Sequence, residues 1–218
     1  MHVADATLKE GLIYDTIGRL SDDDIRVIAI RKLQDQFRVD QKHAERTTHL
    51  ALHLWRQISG PELPGASRTK LLSWAAQLHE VGLGISHSSY HNHGFYILQH
   101  SDIAGFGRYE QLLLAHLVGS HRKKIAGRLR RLDLHSQAAL MPLLVCLRLS
   151  VILNRGREGI DTHVDLKWQG NEVTLGFSEG WLADQPLTQA GLEKERQYLS
   201  AVDITLTIKD IIEDTPKS

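Results

Sequence analysis

Cysteine is almost missing from this chain. Cys146 is the only one in 218 residues, and it stands inside the apolar run MPLLVCLRL. A disulfide framework is thereby excluded and a reducing compartment is indicated. Cys146 itself reads as a small core hydrophobe rather than a nucleophile. No apolar run is expected to be long enough to span a membrane. The first residues, MHVADATLKEG, carry neither the basic nor the apolar region of a secretion signal. The expectation is a cytoplasmic protein. Net charge is also missing: 26 Lys and Arg balance 26 Asp and Glu.

That balance conceals an asymmetry. Residues 108–157 hold ten Lys or Arg against two acids, Glu110 and Asp133, whereas residues 160–218 hold five against eleven. A basic middle can attract a polyanion that the acidic end would repel. Histidine is abundant, with thirteen residues, most of them between His43 and His135. With 42 % apolar residues the chain can build a core, and its length suits one main domain with a smaller appendage.

Ser21 followed by Asp24 reads as a helix start, and Ile25, Ile28, Ala29 and Leu33 continue with a helical period towards Arg38. A second helix is expected over residues 41–58, with Ala44, Thr48, Ala51, Trp55 and Ile58 on its apolar stripe. Gly60, Pro61, Pro64 and Gly65 mark a loop. A third helix carries Leu71, Leu72, Trp74, Ala75 and Leu78 and stops at Gly82 and Gly84. Shorter helices are expected from Tyr90 and over residues 108–120. The apolar stretch 133–154 reads as a buried helix pair or one helix kinked at Pro142. Beyond Gly159 the period becomes two. Val164, Leu166 and Trp168, then Gly170-Asn171, then Val173, Leu175 and Phe177 spell a hairpin. A helix near residues 188–199 and a strand with Ile204, Leu206 and Ile208 follow. The fold class expected is mainly α: an all-helical domain over residues 1–157 and a small α+β domain over 158–218.

His43, His79 and Glu80 form the most chemical-looking pattern, each on or at the end of an expected helix. They resemble the HD superfamily of metal-dependent phosphohydrolases, in which one His and a His-Asp dyad surround a divalent metal that activates water. In this chain Glu80 replaces the dyad Asp. The helix resembling the one that supplies a last Asp, LRLSVILN, offers apolar Val151 near that place. The three residues are therefore weak metal candidates, with interhelical hydrogen bonding as the other reading. A second group, His87, His91 and His93, has no cysteine and few carboxylates beside it, which favours anion contact over structural zinc.

The run LLSWAAQLHEVGLGISHSSYHNHGFYILQHSDIAGFGRYEQLLLAHLVGSHRKKI (residues 71–125), with RVDQKHAERTTHLALHLW (38–55) and LKEGLIYD (8–15), closely resembles the C-terminal part of the exopolyphosphatase/guanosine pentaphosphate phosphatase family. The resemblance covers most of residues 1–157 and implies an HD-like helical domain. It also implies a separate N-terminal actin-like module that holds the catalytic acid, a phosphate loop and magnesium. No such Gly-rich loop occurs in this sequence, so this chain alone is expected to lack catalytic competence and to hold no cofactor. The family removes terminal phosphate from polyphosphate or guanosine pentaphosphate, and its C-terminal half lines a basic channel and supplies a homodimer interface. A free-standing HD-type phosphohydrolase is the alternative.

HRKKIAGRLRR (residues 121–131) suits a polyanion: Arg122, Lys123, Lys124, Arg128, Arg130 and Arg131 stand with His121 and no acid. As one helix it would align Lys124, Arg128 and Arg131 on a face. Exposed like charges repel by about a few tenths of a kcal/mol per pair, which a bound polyanion relieves. Polyphosphate needs point charges and guanidinium forks rather than stacking rings. The lack of aromatics here argues against a single-stranded nucleic-acid groove. The polyphosphate-binding set expected is this segment with His87, His91 and His93.

Overall fold

A computed structural model of the chain describes residues 25–59 and 66–211. The Ser21–Asp24 cap, the 8–15 motif, and the loop residues Gly60, Pro61, Pro64 and Gly65 lie outside the described residues. Helix α1 is described over residues 25–36. It is followed by α2 (Gln41–Ile58), α3 (Ala66–Leu78), α4 (Tyr90–His100), α5 (Arg108–Ser120), a single turn α6 (Ala126–Leu129) and α7 (Leu134–Leu153). Then come β1 (Val164–Gln169), β2 (Glu172–Ser178), α8 (Pro186–Ser200) and β3 (Thr205–Ile211). The fold is mainly α with a small α+β module, as the periodicities imply.

Local chemistry explains the helix starts. Asp40 Oδ1 accepts from the His43 amide at 3.0 Å and opens α2. Asp133 does the same for α7, accepting from the Ser136 amide at 2.9 Å. On α2 the stripe of Ala44, Thr48, Ala51 and Trp55 is buried, and Ile58 half-buried.

Helix α7 is the centre of the core. It is one helix of 20 residues, not a pair, with Pro142 inside it. Proline removes the amide that would reach the carbonyl four residues back. That residue, Ala138, is exposed, so water can take its carbonyl. Length and composition alone would let α7 cross a membrane, contrary to the expectation from the sequence, yet 61 % of its most apolar stretch is buried within the protein. Leu143, Leu144, Val145, Cys146, Leu147 and Leu149 are all within 1 % of complete burial. Here α7 serves as a core helix.

After α3 the chain makes a 3-10 turn, Val81–Gly84, pressed onto the start of α4. A Cβ on Gly82 would lie 2.0 Å from the Tyr90 carbonyl oxygen, so only glycine fits. This approach sets the α4 N-terminus beside the end of α3.

The C-terminal sheet has the order β1-β2-β3. β1 and β2 are an antiparallel hairpin, with Leu166 opposite Leu175. Gly170, at φ 58°, makes its two-residue turn. β3 returns parallel to β2 after the α8 crossover. β1 is an edge strand, and Gln57 on α2 pairs with it. The Gln57 amide nitrogen donates to the Val164 carbonyl at 3.0 Å, and its oxygen accepts from the Leu166 amide at 2.6 Å. A side-chain amide thus stands in for a neighbouring strand and docks the sheet on the helices. Arg148 on α7 makes a second link, a bidentate pair with Glu195 on α8 at 2.5 and 2.6 Å.

Candidate functional site

The structure brings His43, His79 and Glu80 together. Their candidate ligating atoms all lie within 4.8 Å of one another. His43 comes from the first turn of α2, and His79-Glu80 from the residues directly after α3. The His79 Nδ1–H donates to the Ala76 carbonyl at 2.7 Å. That bond fixes the tautomer and leaves Nε2 with a lone pair and no partner among the described residues. Burial lowers the His79 pKa to about 4. Burial, then the neighbouring His79, also lowers that of His43. Both rings are neutral at pH 7, their centroids 5.4 Å apart.

The cluster continues into two residues whose place there the sequence does not show. His121 lies 5.5 Å from His79 and Tyr90 5.3 Å from His121, centroid to centroid. The His121 Nδ1–H donates to the Val118 carbonyl at 2.5 Å, and the Tyr90 hydroxyl donates to Nε2 at 3.2 Å. Burial holds the His121 pKa well below the usual histidine value.

Arg157 closes the site. Its guanidinium donates to Glu80 Oε1 at 2.8 Å and to Asp40 Oδ2 at 2.7 Å. It reaches there from a residue at φ 58°, a left-handed position. A cavity of about 600 Å³ opens at this point, with Arg38, Asp40, Glu80, His87 and Arg157 on its walls. Two neutral imidazoles and a carboxylate have the chemistry of a metal triad. Arg157 competes for the Glu80 carboxylate and sets a positive charge beside it, which the carboxylates of Glu80 and Asp40 offset. A divalent metal here would have to displace the Arg157–Glu80 ion pair. Val151, expected near the place of a missing aspartate, is half-buried against the core.

The basic segment differs from the single helical face expected. Only Ala126–Leu129 is helical, so Lys124, Arg128 and Arg131 do not share one helix. His121 is buried inside the molecule. Lys123, Lys124, Arg130 and Arg131 are exposed, and among the described residues no carboxylate pairs with them. Arg122 and Arg128 are half-buried: Arg122 stacks on Tyr90 at 4.6 Å and Arg128 on Phe95 at 4.2 Å. Arg128 also donates to the Asn92 side chain. A Cβ on Gly119 would meet the Arg128 side chain at 2.9 Å, so this glycine clears its path. Underneath, Arg148, with no exposed surface, donates to the carbonyls of Ser120 and of Lys123, the latter at 2.9 Å. That fastening turns the backbone inward and the cations outward.

The three other histidines separate. His91 is buried on α4, where burial and then Arg122 and Lys123 lower its pKa to about 4. His93 is half-buried and His87 exposed. His87 lines the cavity at Glu80 and Arg157. Sequence reasoning missed Arg157, Asp40, Tyr90 and Arg148. Asp40 had a signal, three residues before His43 as a cap, whereas Arg157 is 77 residues from Glu80 and had none.

Known proteins are similar to this chain in sequence. A family model described as Ppx/GppA phosphatase, domain III, matches residues 25–196. Similar curated proteins are the guanosine-5'-triphosphate,3'-diphosphate pyrophosphatases of Vibrio vulnificus (strain YJ016) and Pseudoalteromonas atlantica (strain T6c / ATCC BAA-1087). The first is 32 % identical over 214 residues, covering 96 % of this chain and 42 % of that protein. The second is 33 % identical over 199 residues, covering 90 % and 40 %. The chain therefore spans less than half the length of the curated relatives it matches. The match to the family model runs through the histidine cluster, the basic segment and most of the C-terminal module, and on it the chain belongs to the Ppx/GppA phosphatase family, as the portion described as domain III.

Proposed function

We propose that this chain is the polyphosphate-binding and dimerising part of a phosphatase of phosphoric anhydrides, acting with an N-terminal actin-like catalytic module. The observation that carries the reading is the segment of residues 121–131. Four exposed cations, without acidic partners among the described residues, project from a backbone fastened by buried Arg148. Unpaired surface cations held close together suit a ligand with one negative charge per repeating unit and no base to read. The relatives' name describes a pyrophosphatase of a guanosine polyphosphate, and in this reading the substrate is polyphosphate or that nucleotide. Catalysis and magnesium belong to the other module, since Arg157 already holds Glu80. A cytoplasmic setting agrees with a lone, buried, unpaired Cys146.

The test is binding of long-chain polyphosphate at several salt concentrations. With about four contacts released, the logarithm of affinity should fall against the logarithm of salt with a slope on the order of −3, by analogy with single-stranded nucleic acids. Lys124→Glu, Arg130→Glu and Arg131→Glu together should weaken binding about a hundredfold or more. These positions are exposed, so the fold survives. Unchanged affinity in the triple variant would overturn the assignment.

A further inference from the structure

A second cleft, of about 720 Å³, lies between α2 and the segment leading into β1. It shares no lining residue with the cavity at Arg157 or with residues 121–131. Three of its lining residues are histidines that stand outside the cluster at His79: His49, His53 and His163. His49 and His53 are four residues apart on α2, so their side chains leave one helix face a turn apart, with Cβ atoms about 5–6 Å from each other. His163 comes from the opposite wall. Its ring meets that of His53 edge-on, at 6.5 Å between centroids.

The hydrogen bonds of these rings suit a metal ion. A histidine that ligates through one nitrogen donates the N–H of the other to a carbonyl or carboxylate, which sets its tautomer and raises its basicity. His53 donates its Nε2–H to the Val164 carbonyl at 3.2 Å, and His163 donates its own to Asp165 Oδ1 at 2.9 Å. Each ring, when neutral, therefore keeps a lone pair on Nδ1. His49 is exposed, so its ring can swing over the same face. Lys42 and Arg46 bring positive charge to the lining, and Glu45, four residues before His49, and Asp165 behind His163 offset it. Imidazole nitrogens bind zinc at about 2.0–2.1 Å, which sets two rings on one tetrahedral ion with centroids roughly 5 Å apart. Closing from 6.5 Å asks the His163 side chain, 56 % exposed, to move inward by roughly 1–2 Å.

We propose that this cleft is a transition-metal site of the zinc class, with His49, His53 and His163 as its ligands and a fourth position left to water. Three imidazole nitrogens select such an ion over magnesium or calcium, which take oxygen ligands. The ion joins α2 to the start of β1, at the junction where Gln57 already pairs with Val164 and Leu166. It thereby ties the helical domain to the C-terminal sheet. The site shares no residue with the basic segment, so it does not depend on polyphosphate binding there.

Calorimetric titration of the whole chain, first stripped of metal with a chelator, with zinc chloride and separately with magnesium chloride tests this. Zinc should fill one strongest site per chain and raise the melting temperature, because it binds the folded state. Magnesium should do neither. His49→Gln and His163→Gln should each weaken zinc binding at least about tenfold, since even the partners of metal-ligating histidines are worth that much. Both positions are exposed, so the fold survives the changes. The proposal is overturned if zinc does not bind, if both variants bind it as the parent does, or if magnesium displaces it at equal concentration. Loss of zinc in Glu80→Gln alone would move the ion to the cluster of His43 and His79. Loss only in the His87→Gln, His93→Gln double variant would move it to the start of α4. Either result overturns the assignment.

Discussion

Replacing Arg148 by methionine separates the anchoring of the basic segment from its charge. Arg148 has no exposed surface, and Glu195 is 3 % exposed. Their pairing is bidentate at 2.5 and 2.6 Å, and the same guanidinium serves the Ser120 and Lys123 carbonyls. Arg148→Met therefore strands a buried carboxylate, a loss of about 3–5 kcal/mol. Arg148→Met with Glu195→Met removes both charges, and well-packed apolar replacements of such pairs are close to neutral. What remains is the Ser120 carbonyl in a buried residue, worth about 1–3 kcal/mol if it finds no water. The double variant should thus be more stable than the single one by about 2 kcal/mol. Urea unfolding of the parent, both single variants and the double variant closes the cycle. In the double variant the backbone of residues 120–124 has lost its fastening, so its amides should exchange faster and the salt slope for polyphosphate should flatten, although every surface cation is intact. A single-variant cost below about 1 kcal/mol, or a double variant no better than Arg148→Met, would refute the pairing as a buried, coupled unit.

Other perturbations address the histidine cluster. His79 has a folded-state pKa of about 4 against an unfolded value of 6.5. Its contribution is complete above pH 6.5 and is lost as pH falls towards 4, by roughly 3 kcal/mol in all; His43, His91 and His121 act in the same direction. Urea midpoints should fall steeply from pH 7 to pH 5, and a flat profile would contradict the buried neutral rings. Arg157→Ala should cost about 1–3 kcal/mol: its own side chain is 46 % exposed, but the buried Glu80 carboxylate loses its counter-ion. It should also create manganese binding, seen as a metal-dependent rise in melting temperature absent from the parent. No such rise would show that Arg157 is not what opposes a metal. Gly82→Ala places a methyl 2.0 Å from a backbone oxygen and 2.6 Å from the Gly94 nitrogen. A loss of more than about 3 kcal/mol is expected from that overpacking, read by thermal unfolding.

Much of the fold was legible because its signals are local. The period of Ala44, Thr48, Ala51 and Trp55, the Gly170-Asn171 turn and the alternation beside it each depend on neighbours within a few residues. The boundaries of α2 and α5 and the start of α4 agree with those expected from such patterns. The run of residues 121–131 misled for a physical reason. Its composition is helical, but Lys123 takes φ 59° and the chain turns so that Ser120 and Lys123 present carbonyls to Arg148. That demand arises on α7, 25 residues later. His121 looked like a surface residue for its cationic neighbours, yet the same turn buries it against His79 and Tyr90. The nearness of His43, His79 and Glu80 was legible from a family pattern. Their electrostatic state was not, since Arg157 is 117 residues from Asp40.

The two arginines give this chain a consistent physical logic. Arg157 supplies a positive charge beside Glu80, so Glu80 keeps a counter-ion and the neutral rings of His43 and His79 can stay buried without one. Arg148 solves the converse problem. A group of like charges repels itself and would spread if its backbone were loose. Fastening Ser120 and Lys123 from beneath, and stacking Arg122 on Tyr90 and Arg128 on Phe95, holds the group together before any ligand arrives. The repulsion is then part of the folded state, and in the proposed function an incoming polyanion would relieve it instead of having to gather the charges. Preorganisation of that kind raises affinity by lowering the ordering cost of binding. The Tyr90 hydroxyl, bonded to His121, joins the stacked Arg122 to the buried cluster. Loosening either arginine should therefore be felt at the other's site through α4.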